Sequence, residues 1–168
     1  MPDVASIAQG PGEREVDQRA ALLVSAYGDR LRVGSILDVG AGPQHVREAL
    51  GPGVDYTPVD RPGSAAAVVV DLEQDPLPFA DGAFDSVLCL DVLEHLDDPY
   101  RVFDELCRVA RLVVVIALPN PWSTFYAVLR HGRYRSTQAV KYYGLPEASP
   151  RNRHKWFFSA EEAEAFIR

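Results

Sequence analysis

Apolar residues in this chain occur in two patterns that alternate along the sequence. Continuous apolar runs indicate strands that are covered on both faces, as in a parallel sheet. Apolar positions that recur at steps of three and four residues indicate amphipathic helices. The runs predict strands over residues 35–39, 55–59, 65–70, 84–90 and 112–118, and the spaced positions predict helices over about residues 13–32, 46–50 and 99–110.

Strands and helices in alternation predict an α/β fold with a doubly wound, mainly parallel sheet in three layers. The predicted core covers residues 13–120. Residues 1–12 are rich in Pro, Gly and Ala and are predicted to be a loose N-terminus. Residues 159–168 are predicted to begin a C-terminal part with a helix whose N-cap is Ser159.

The composition is that of an ordinary globular protein, since 47% of the 168 residues are apolar and 24% are charged. No apolar run reaches the roughly 20 residues that span a bilayer, and the N-terminus lacks the features of a signal peptide. The two cysteines, Cys89 and Cys107, are too few for a disulfide framework. We therefore expect a cytoplasmic protein without a membrane-spanning segment.

Basic charge is concentrated in one segment. The chain has 17 Lys and Arg against 24 Asp and Glu, which gives a net charge of −7. Residues 121–155 hold seven of the basic residues and one acid (+6), which leaves 10 basic and 23 acidic residues (−13) elsewhere. The acidic body argues against general nucleic-acid binding and favours a local role for the basic segment.

Acidic residues lie in or directly after four of the predicted strands. Aspartate is common at strand ends and in turns, so any one of them has an ordinary structural explanation. Four at equivalent ends are harder to explain in this way, because ligands of open parallel sheets bind beyond the carboxyl ends of the strands. The four residues are Asp38, Asp60, Asp71 and Asp91.

The first predicted strand leads into a glycine loop with the sequence D-V-G-A-G-P-Q. Gly40 and Gly42 allow the backbone to approach a bound group closely. The dinucleotide fingerprint needs a third glycine where His45 stands, and the lysine of a phosphate-binding loop is absent. Asp60, at the end of the second strand, is placed to accept hydrogen bonds from ribose hydroxyls, with Arg61 beside the sugar. A ligand with adenine and ribose but little phosphate fits this pattern.

Further stretches make the chain similar to a known family. Besides I-L-D-V-G-A-G-P, they are L-P-F, D-G-A-F-D and L-E-H-L-D-D-P within residues 71–99, and L-C-R-V-A-R-L-V-V-V-I-A-L-P-N-P at residues 106–121. Over about residues 35–120 the chain resembles the class I S-adenosylmethionine-dependent methyltransferases, particularly those that act on small molecules. The resemblance implies a Rossmann-like fold, S-adenosylmethionine as cofactor, and transfer of its methyl group.

The resemblance also implies a role for each matching residue. It places the ribose hydroxyls on Asp60, beside Arg61, and the ammonium group of the donor on Asp38, directly or through water. The other implied contacts are Gly40, Ala41 and Gly42 against the methionine part, Asp71 and Leu72 at the adenine, and Asp91, Val92 and His95 facing the sulfonium and the acceptor.

Among the departures of the chain from the family, one concerns the donor loop and one concerns the sheet. Gln44 stands where the family usually has a third glycine, and a side chain there would narrow the loop or hydrogen-bond the donor instead. The family closes its sheet with a sixth and a seventh strand, whereas no strand signal follows residue 118 here. We therefore predict five strands with 112–118 at an open edge. Either the chain is shortened, or it self-associates or binds a partner through this edge.

Residues 121–158 are predicted to cover the acceptor, since they combine nine aromatic residues with basic ones. Two alternatives stay open: the aromatic residues fill the core of a helical insertion, or they stack on single-stranded RNA, which the acidic body disfavours. A catalytic base is needed only for a weak nucleophile such as a hydroxyl, and none is assigned. The candidates are His95, His131, His154 and Asp91.

The sequence thus predicts a methyltransferase acting on a small-molecule acceptor. One alternative is a donor-binding module without activity, which Gln44 and the missing strands suggest, and another is an RNA-modifying methyltransferase. No spacing of Cys and His resembles a metal site, so no metal is predicted.

Overall fold

A computed structural model of the chain describes residues 3–9, 13–64, 66–131 and 153–168. The strands in these ranges are β1 (Asp3–Gln9), β2 (Ser35–Val39), β3 (Asp55–Asp60), β4 (Val68–Val69), β5 (Phe84–Leu90) and β6 (Ala110–Pro119). The helices are α1 (Glu13–Leu31), α2 (His45–Leu50), α3 (Pro99–Val109), α4 (Pro121–His131) and α5 (Ala160–Phe166), with a short 3-10 helix at Leu93–His95. The strands form one parallel sheet in the order β1-β6-β5-β2-β3-β4.

Buried side chains on the two faces of the sheet form two cores. Along β2, Ile36 belongs to one core, and its neighbours Leu37 and Val39 belong to the other. Leu23 of α1 and other residues of α1 and α2 cover the first face, whereas α3 covers the second, for example with Leu106. The predicted three-layer, doubly wound α/β fold is therefore confirmed, because the strands are apolar on both faces and helices cover both.

The internal strands lie close to where the apolar runs predict them. β2 and β5 have the predicted bounds, β3 extends one residue further, and β6 runs from Ala110 to Pro119 rather than over 112–118. The run at 65–70 forms only the two-residue strand Val68–Val69, with residue 65 outside the described part. This strand pairs only with the last two residues of β3, so only the later part of the apolar run forms a strand.

The predictions of a loose N-terminus and an open sheet edge are wrong. The backbone of β1 pairs with β6 in parallel register, from Asp3 opposite Val113 to Gln9 opposite Pro119. The edge predicted to attract a partner, or a second copy, is thus paired within the chain. The sheet has six strands among the described residues rather than five, and β1 occupies the side of β6 where the family's closing strands were expected.

The C-terminal helix begins as predicted. The hydroxyl of Ser159 accepts a hydrogen bond from the Glu162 backbone N–H at 3.2 Å, and the Glu162 carboxylate accepts one from the Ser159 N–H at 2.6 Å. This reciprocal pair satisfies two N–H groups at the helix start. None of the described helices is both long and apolar enough to cross a membrane.

Candidate donor and acceptor sites

The sheet brings the predicted donor residues to one edge. β2 lies between β3 and β5, with Val39 opposite both Val59 and Cys89. The residues that follow these positions therefore leave the sheet side by side, among them Asp60 at the end of β3. The predicted residues grouped at this carboxyl edge are Gly40, Ala41 and Gly42 after β2, Asp60 and Arg61 at β3, Asp71 and Leu72 after β4, and Asp91 and Val92 after β5.

The glycine loop is fastened to β3, and it holds the Asp60 carboxylate in place. The backbone N–H groups of Gly40 and Ala41 donate to the Val59 carbonyl at 2.8 and 3.1 Å. Gly42 N–H donates to Asp60 Oδ2 at 2.8 Å, and Arg61 N–H donates to Oδ1 at 2.7 Å. Each carboxylate oxygen keeps acceptor capacity beyond these bonds, so the group is fixed and can still accept from a ligand.

Gly40 and Gly42 serve different purposes in the loop. Gly40 has φ +80°, and a Cβ there would lie 2.2 Å from Cγ2 of Val92, which follows β5. This position thus joins two of the strand ends by close packing. Gly42 has φ +48°, and the nearest atom to a Cβ there would be the Gly40 carbonyl oxygen at 4.0 Å. The space beside Gly42 is open, as a loop that contacts a ligand through its backbone requires.

Gln44 has the backbone conformation expected of the glycine it replaces. Its φ of 63° and ψ of 37° lie in the left-handed region, directly before α2. The side-chain amide oxygen accepts a hydrogen bond from the Arg47 guanidinium at 3.2 Å, in an exposed position. The side chain is therefore held on α2 itself, and an effect of Gln44 on donor affinity stays a prediction.

Asp38 is buried within the sheet, with 3% of its surface exposed. The hydroxyl of Tyr56, on the neighbouring strand, donates a hydrogen bond to its Oδ2. Burial raises the pKa of Asp38 to about 6, the Tyr56 hydrogen bond lowers it in part, and the negative charge of Asp60 raises it further. Burial and the neighbouring Asp38 carboxylate raise the pKa of the Tyr56 hydroxyl as well, so this hydroxyl keeps its proton and stays a donor.

This pKa makes donor binding dependent on pH if Asp38 meets the ammonium. We expect the affinity for S-adenosylhomocysteine to fall as the pH drops below about 6, by up to tenfold per pH unit, because the protonated carboxyl no longer attracts a cation. Calorimetric titrations between pH 5 and pH 7.5 measure this, and Asp38→Asn should give a flat profile. An equal pH dependence in the two proteins would contradict the role of Asp38.

The ligand-free protein offers an independent check of the same group. The pKa of Asp38 is raised from 3.8 to about 6, so between these values the folded state holds a proton that the unfolded state has lost. Its contribution to stability therefore decreases as the pH rises from about 4 to 6. Thermal unfolding of the wild type and of Asp38→Asn in this window isolates the contribution.

The residues predicted to contact adenine form a tight turn. Asp71 Oδ1 accepts from the Glu73 N–H at 3.0 Å, which fixes the carboxylate at the end of β4. Leu72 packs against the second core, and its carbonyl accepts a hydrogen bond from Arg101. Arg61 is exposed. Contacts of these residues with adenine or ribose stay predictions.

Asp91 and His95 follow β5, and their neighbours were not identifiable from the sequence. Asp91 has φ +55° and forms an ion pair with Arg19 of α1. The Nδ1 of His95 lies 3.2 Å from the Arg153 carbonyl oxygen, and the His95 ring meets that of His154 edge-on, with 4.7 Å between centroids. His95 therefore faces the C-terminal segment, and a role as catalytic base stays a prediction.

Residues 153–158 lie across the loop that follows β5. Lys155 N–H donates to the Glu94 carbonyl at 2.8 Å, and Trp156 Nε1 donates to the Leu96 carbonyl at 2.8 Å. The Lys155 ammonium forms ion pairs with Glu73 at 2.8 Å and Asp97 at 2.6 Å. This part of the predicted acceptor cover is thus bound to the core, whereas residues 132–152 lie outside the described residues.

A cavity of about 460 Å³ lies between this segment, α5 and the carboxyl end of β6. Its walls are largely aromatic and aliphatic, and the carboxylates of Glu94 and Glu162 belong to the lining. The sequence predicted residues 121–158 as an acceptor cover, and the aromatic residues 156–158 of that segment line this cavity; the contribution of α5 was not predicted. The lining residues are Leu93, Glu94, Pro99, Tyr100, Leu118, Trp156, Phe157, Phe158, Glu162, Ala163, Ala165 and Phe166.

The fold and this edge define a class of protein: a doubly wound α/β domain whose ligand site lies at the carboxyl ends of parallel strands. Residues 37–113 match the family described as a methyltransferase domain. An uncharacterized methyltransferase of Mycolicibacterium gilvum is 34% identical over 89 residues, which are 46% of this chain and 35% of that protein. The chain spans about a third of the length of this and similar curated relatives.

Two solved structures share the fold. A SAM-dependent methyltransferase from Archaeoglobus fulgidus superposes with a TM-score of 0.62 at 16% identity, over 90% of this chain and 66% of that one. One from Thermotoga maritima gives a TM-score of 0.59 at 19% identity, over 91% and 71%. By fold, the chain is similar to S-adenosylmethionine-dependent methyltransferases, and its residues 37–113 match a methyltransferase domain. S-adenosylmethionine is the cofactor named for both of these solved structures.

Proposed function

We propose that this chain binds S-adenosylmethionine at the carboxyl edge of the sheet and transfers its methyl group to a small molecule held in the adjacent cavity. The observation that carries the proposal is the Asp60 carboxylate, held by the Gly42 and Arg61 N–H groups beside an open glycine loop. A carboxylate fixed in this way accepts from two neighbouring hydroxyls, which is how strand-end acids bind ribose.

The charges at the edge suit this donor. S-adenosylmethionine carries an ammonium and a sulfonium against one carboxylate, and the edge offers Asp38, Asp60 and Asp91. Asp91 is already paired with Arg19, which leaves its share in binding the sulfonium smaller than the sequence suggested. Asp60 supports the ribose and Asp38 the ammonium.

The cavity supports a small acceptor with an apolar part. Its aromatic walls, including Trp156 and Phe166, give a site for a flat or aliphatic group, and its volume of about 460 Å³ is in the range of small-molecule sites. In the reaction, an acceptor atom attacks the methyl carbon while the carbon–sulfur bond breaks, and sulfur keeps the electron pair as a thioether. Alignment supplies much of the acceleration, because the sulfonium is a good leaving group.

Filling the cavity separates acceptor binding from donor binding. Ala163 of α5 lines the cavity, so Ala163→Phe is expected to lower the rate of methyl transfer at least tenfold and to leave the affinity for S-adenosylhomocysteine unchanged. Glu164→Phe adds the same ring at a neighbouring, exposed position of α5 and should keep the activity. An equal loss in the two variants would place the acceptor elsewhere.

The primary experiment is calorimetry with S-adenosylhomocysteine, together with the mass of any co-purified ligand and a methyl-transfer screen against cell extract. Binding and turnover on a small molecule are expected. Binding without turnover on any acceptor would favour the module without activity. Affinity for RNA that falls steeply with salt would favour the RNA-modifying alternative, because phosphate contacts release counterions. The free thiols of Cys89 and Cys107 support the cytoplasmic location that belongs to this proposal.

A further inference from the structure

Three side chains near the acceptor cavity have the composition of a metal site. Glu94, His95 and His154 each offer one ligand atom, and these atoms all lie within 4.8 Å of one another. The sequence predicts no metal here, because His154 is far from the other two along the chain. The docking of residues 153–158 on the loop after β5 brings the three together.

The distance between His95 and Glu94 fits two ligands of one ion. The Nε2 of His95 lies 3.7 Å from Oε1 of Glu94, which is too long for a hydrogen bond. Two atoms that each lie about 2.0–2.2 Å from Zn²⁺ at a tetrahedral angle are about 3.4 Å apart. The observed separation is therefore close to that of co-ligands.

The His95 ring is oriented for metal binding. Its Nδ1 lies 3.2 Å from the Arg153 carbonyl oxygen, which can only accept, so Nδ1 carries the proton in this contact. Nε2 is then the nitrogen without a proton, and it lies on the side of Glu94. A backbone carbonyl that fixes the tautomer of a histidine is the usual second partner of a metal ligand.

Burial and the set of donor atoms favour a divalent ion. The side chain of Glu94 is 1% exposed, and His154 is 9% exposed. The rings of His95 and His154 meet edge to face with 4.7 Å between centroids, so two imidazoles lie beside one buried carboxylate. A divalent ion is shared by one carboxylate and two neutral imidazoles, a donor set that suits zinc and similar transition metals better than magnesium or calcium.

We propose that Glu94, His95 and His154 bind a divalent transition-metal ion, with Zn²⁺ as the representative. Glu94 also lines the cavity of about 460 Å³, so the ion lies beside the space for the acceptor. Metal binding stands on these three residues and does not depend on methyl transfer. The site can therefore be tested without an acceptor or a donor.

The test begins with the wild-type chain after treatment with a chelator. Competition with a chromophoric chelator is expected to show one equivalent of Zn²⁺ bound. Among the four histidines of the chain, the imidazole NMR signals of His95 and His154 should shift on Zn²⁺ addition. Failure to bind one equivalent, or shifts confined to the other histidines, would overturn the proposal. These readouts need no variant to fold.

Variants then locate the ion. Glu94→Gln and His154→Ala, each checked for folding by circular dichroism, are expected to lower Zn²⁺ affinity by more than about 100-fold. Removing a residue that only hydrogen-bonds to a metal ligand typically lowers the affinity by about 10- to 100-fold, so a larger loss identifies a direct ligand. His45→Ala removes a histidine at the start of α2 and should bind like the wild type. Equal affinities in the wild type, Glu94→Gln and His154→Ala would refute the site, as would a loss confined to His45→Ala.

Discussion

Replacing Asp60 with Asn is expected to weaken the binding of S-adenosylhomocysteine by about 100-fold. The carboxylate is held by the Gly42 and Arg61 N–H groups, and each of its oxygens can still accept from a ribose hydroxyl. Hydrogen bonds to a charged acceptor contribute about 1.5–3 kcal/mol, and about 2.7 kcal/mol corresponds to a factor of 100. The amide keeps the shape of the side chain but offers one acceptor oxygen and no charge.

The control for this variant lies on the same strand. Asp55 is exposed at the amino end of β3, so Asp55→Asn makes the same chemical change at the opposite edge of the sheet. Calorimetry should find its affinity equal to that of the wild type, and thermal unfolding should confirm that both variants fold. An Asp60→Asn protein that binds as tightly as the wild type would mean that the donor lies elsewhere.

Gly40→Ala is expected to lower the free energy of unfolding by about 3 kcal/mol, and the melting temperature by roughly 6–12 °C. A Cβ at this position would lie 2.2 Å from Cγ2 of Val92, and the backbone φ is +80°. A left-handed conformation costs a residue with a side chain about 1–2 kcal/mol, and overpacking adds about 1–3 kcal/mol. The loop would also shift away from β5, so donor affinity should fall with stability.

Two further proteins separate the causes of this loss. Gly53 has φ +86° with no atom within 4 Å of a built Cβ, so Gly53→Ala should show the conformational cost alone, about 1–2 kcal/mol. In a Val92→Ala background, Gly40→Ala should cost no more than that. Denaturant unfolding of all the variants gives these differences. Equal losses at Gly40 and Gly53 would show that the contact with Val92 carries no weight.

The interior of the fold was predictable because local pattern and burial agree there. The runs that form β2 and β5 are apolar on both faces, and each is covered by a helix layer. β1 was missed because its neighbours in sequence are Pro and Gly, which suggested a loose terminus. The position of β1 depends on its pairing with β6, which is distant in sequence: Asp3 and its partner Val113 are 110 positions apart.

Some residues of the candidate sites were predictable from the sequence, and others were not. Gly40 and Asp60 could be placed from the sequence, since strand ends of a parallel sheet meet at one edge. Tyr56 could not, because its contact with Asp38 depends on register: Ile36 pairs with Tyr56, and Asp38 lies two residues further along the same face. His154 meets Glu94 and His95 only through a docked segment that has no periodic pattern.

The partnership of β1 with β6 has a consequence for how the chain folds during synthesis. Residues 3–9 leave the ribosome before the other strands of the sheet, yet the strand they join is completed only with Pro119. Closing so long a loop is slow, because chain entropy must be overcome before the contact forms. The four strands from β2 to β5 can associate in the meantime, so β1 is synthesised before them and enters the sheet after them.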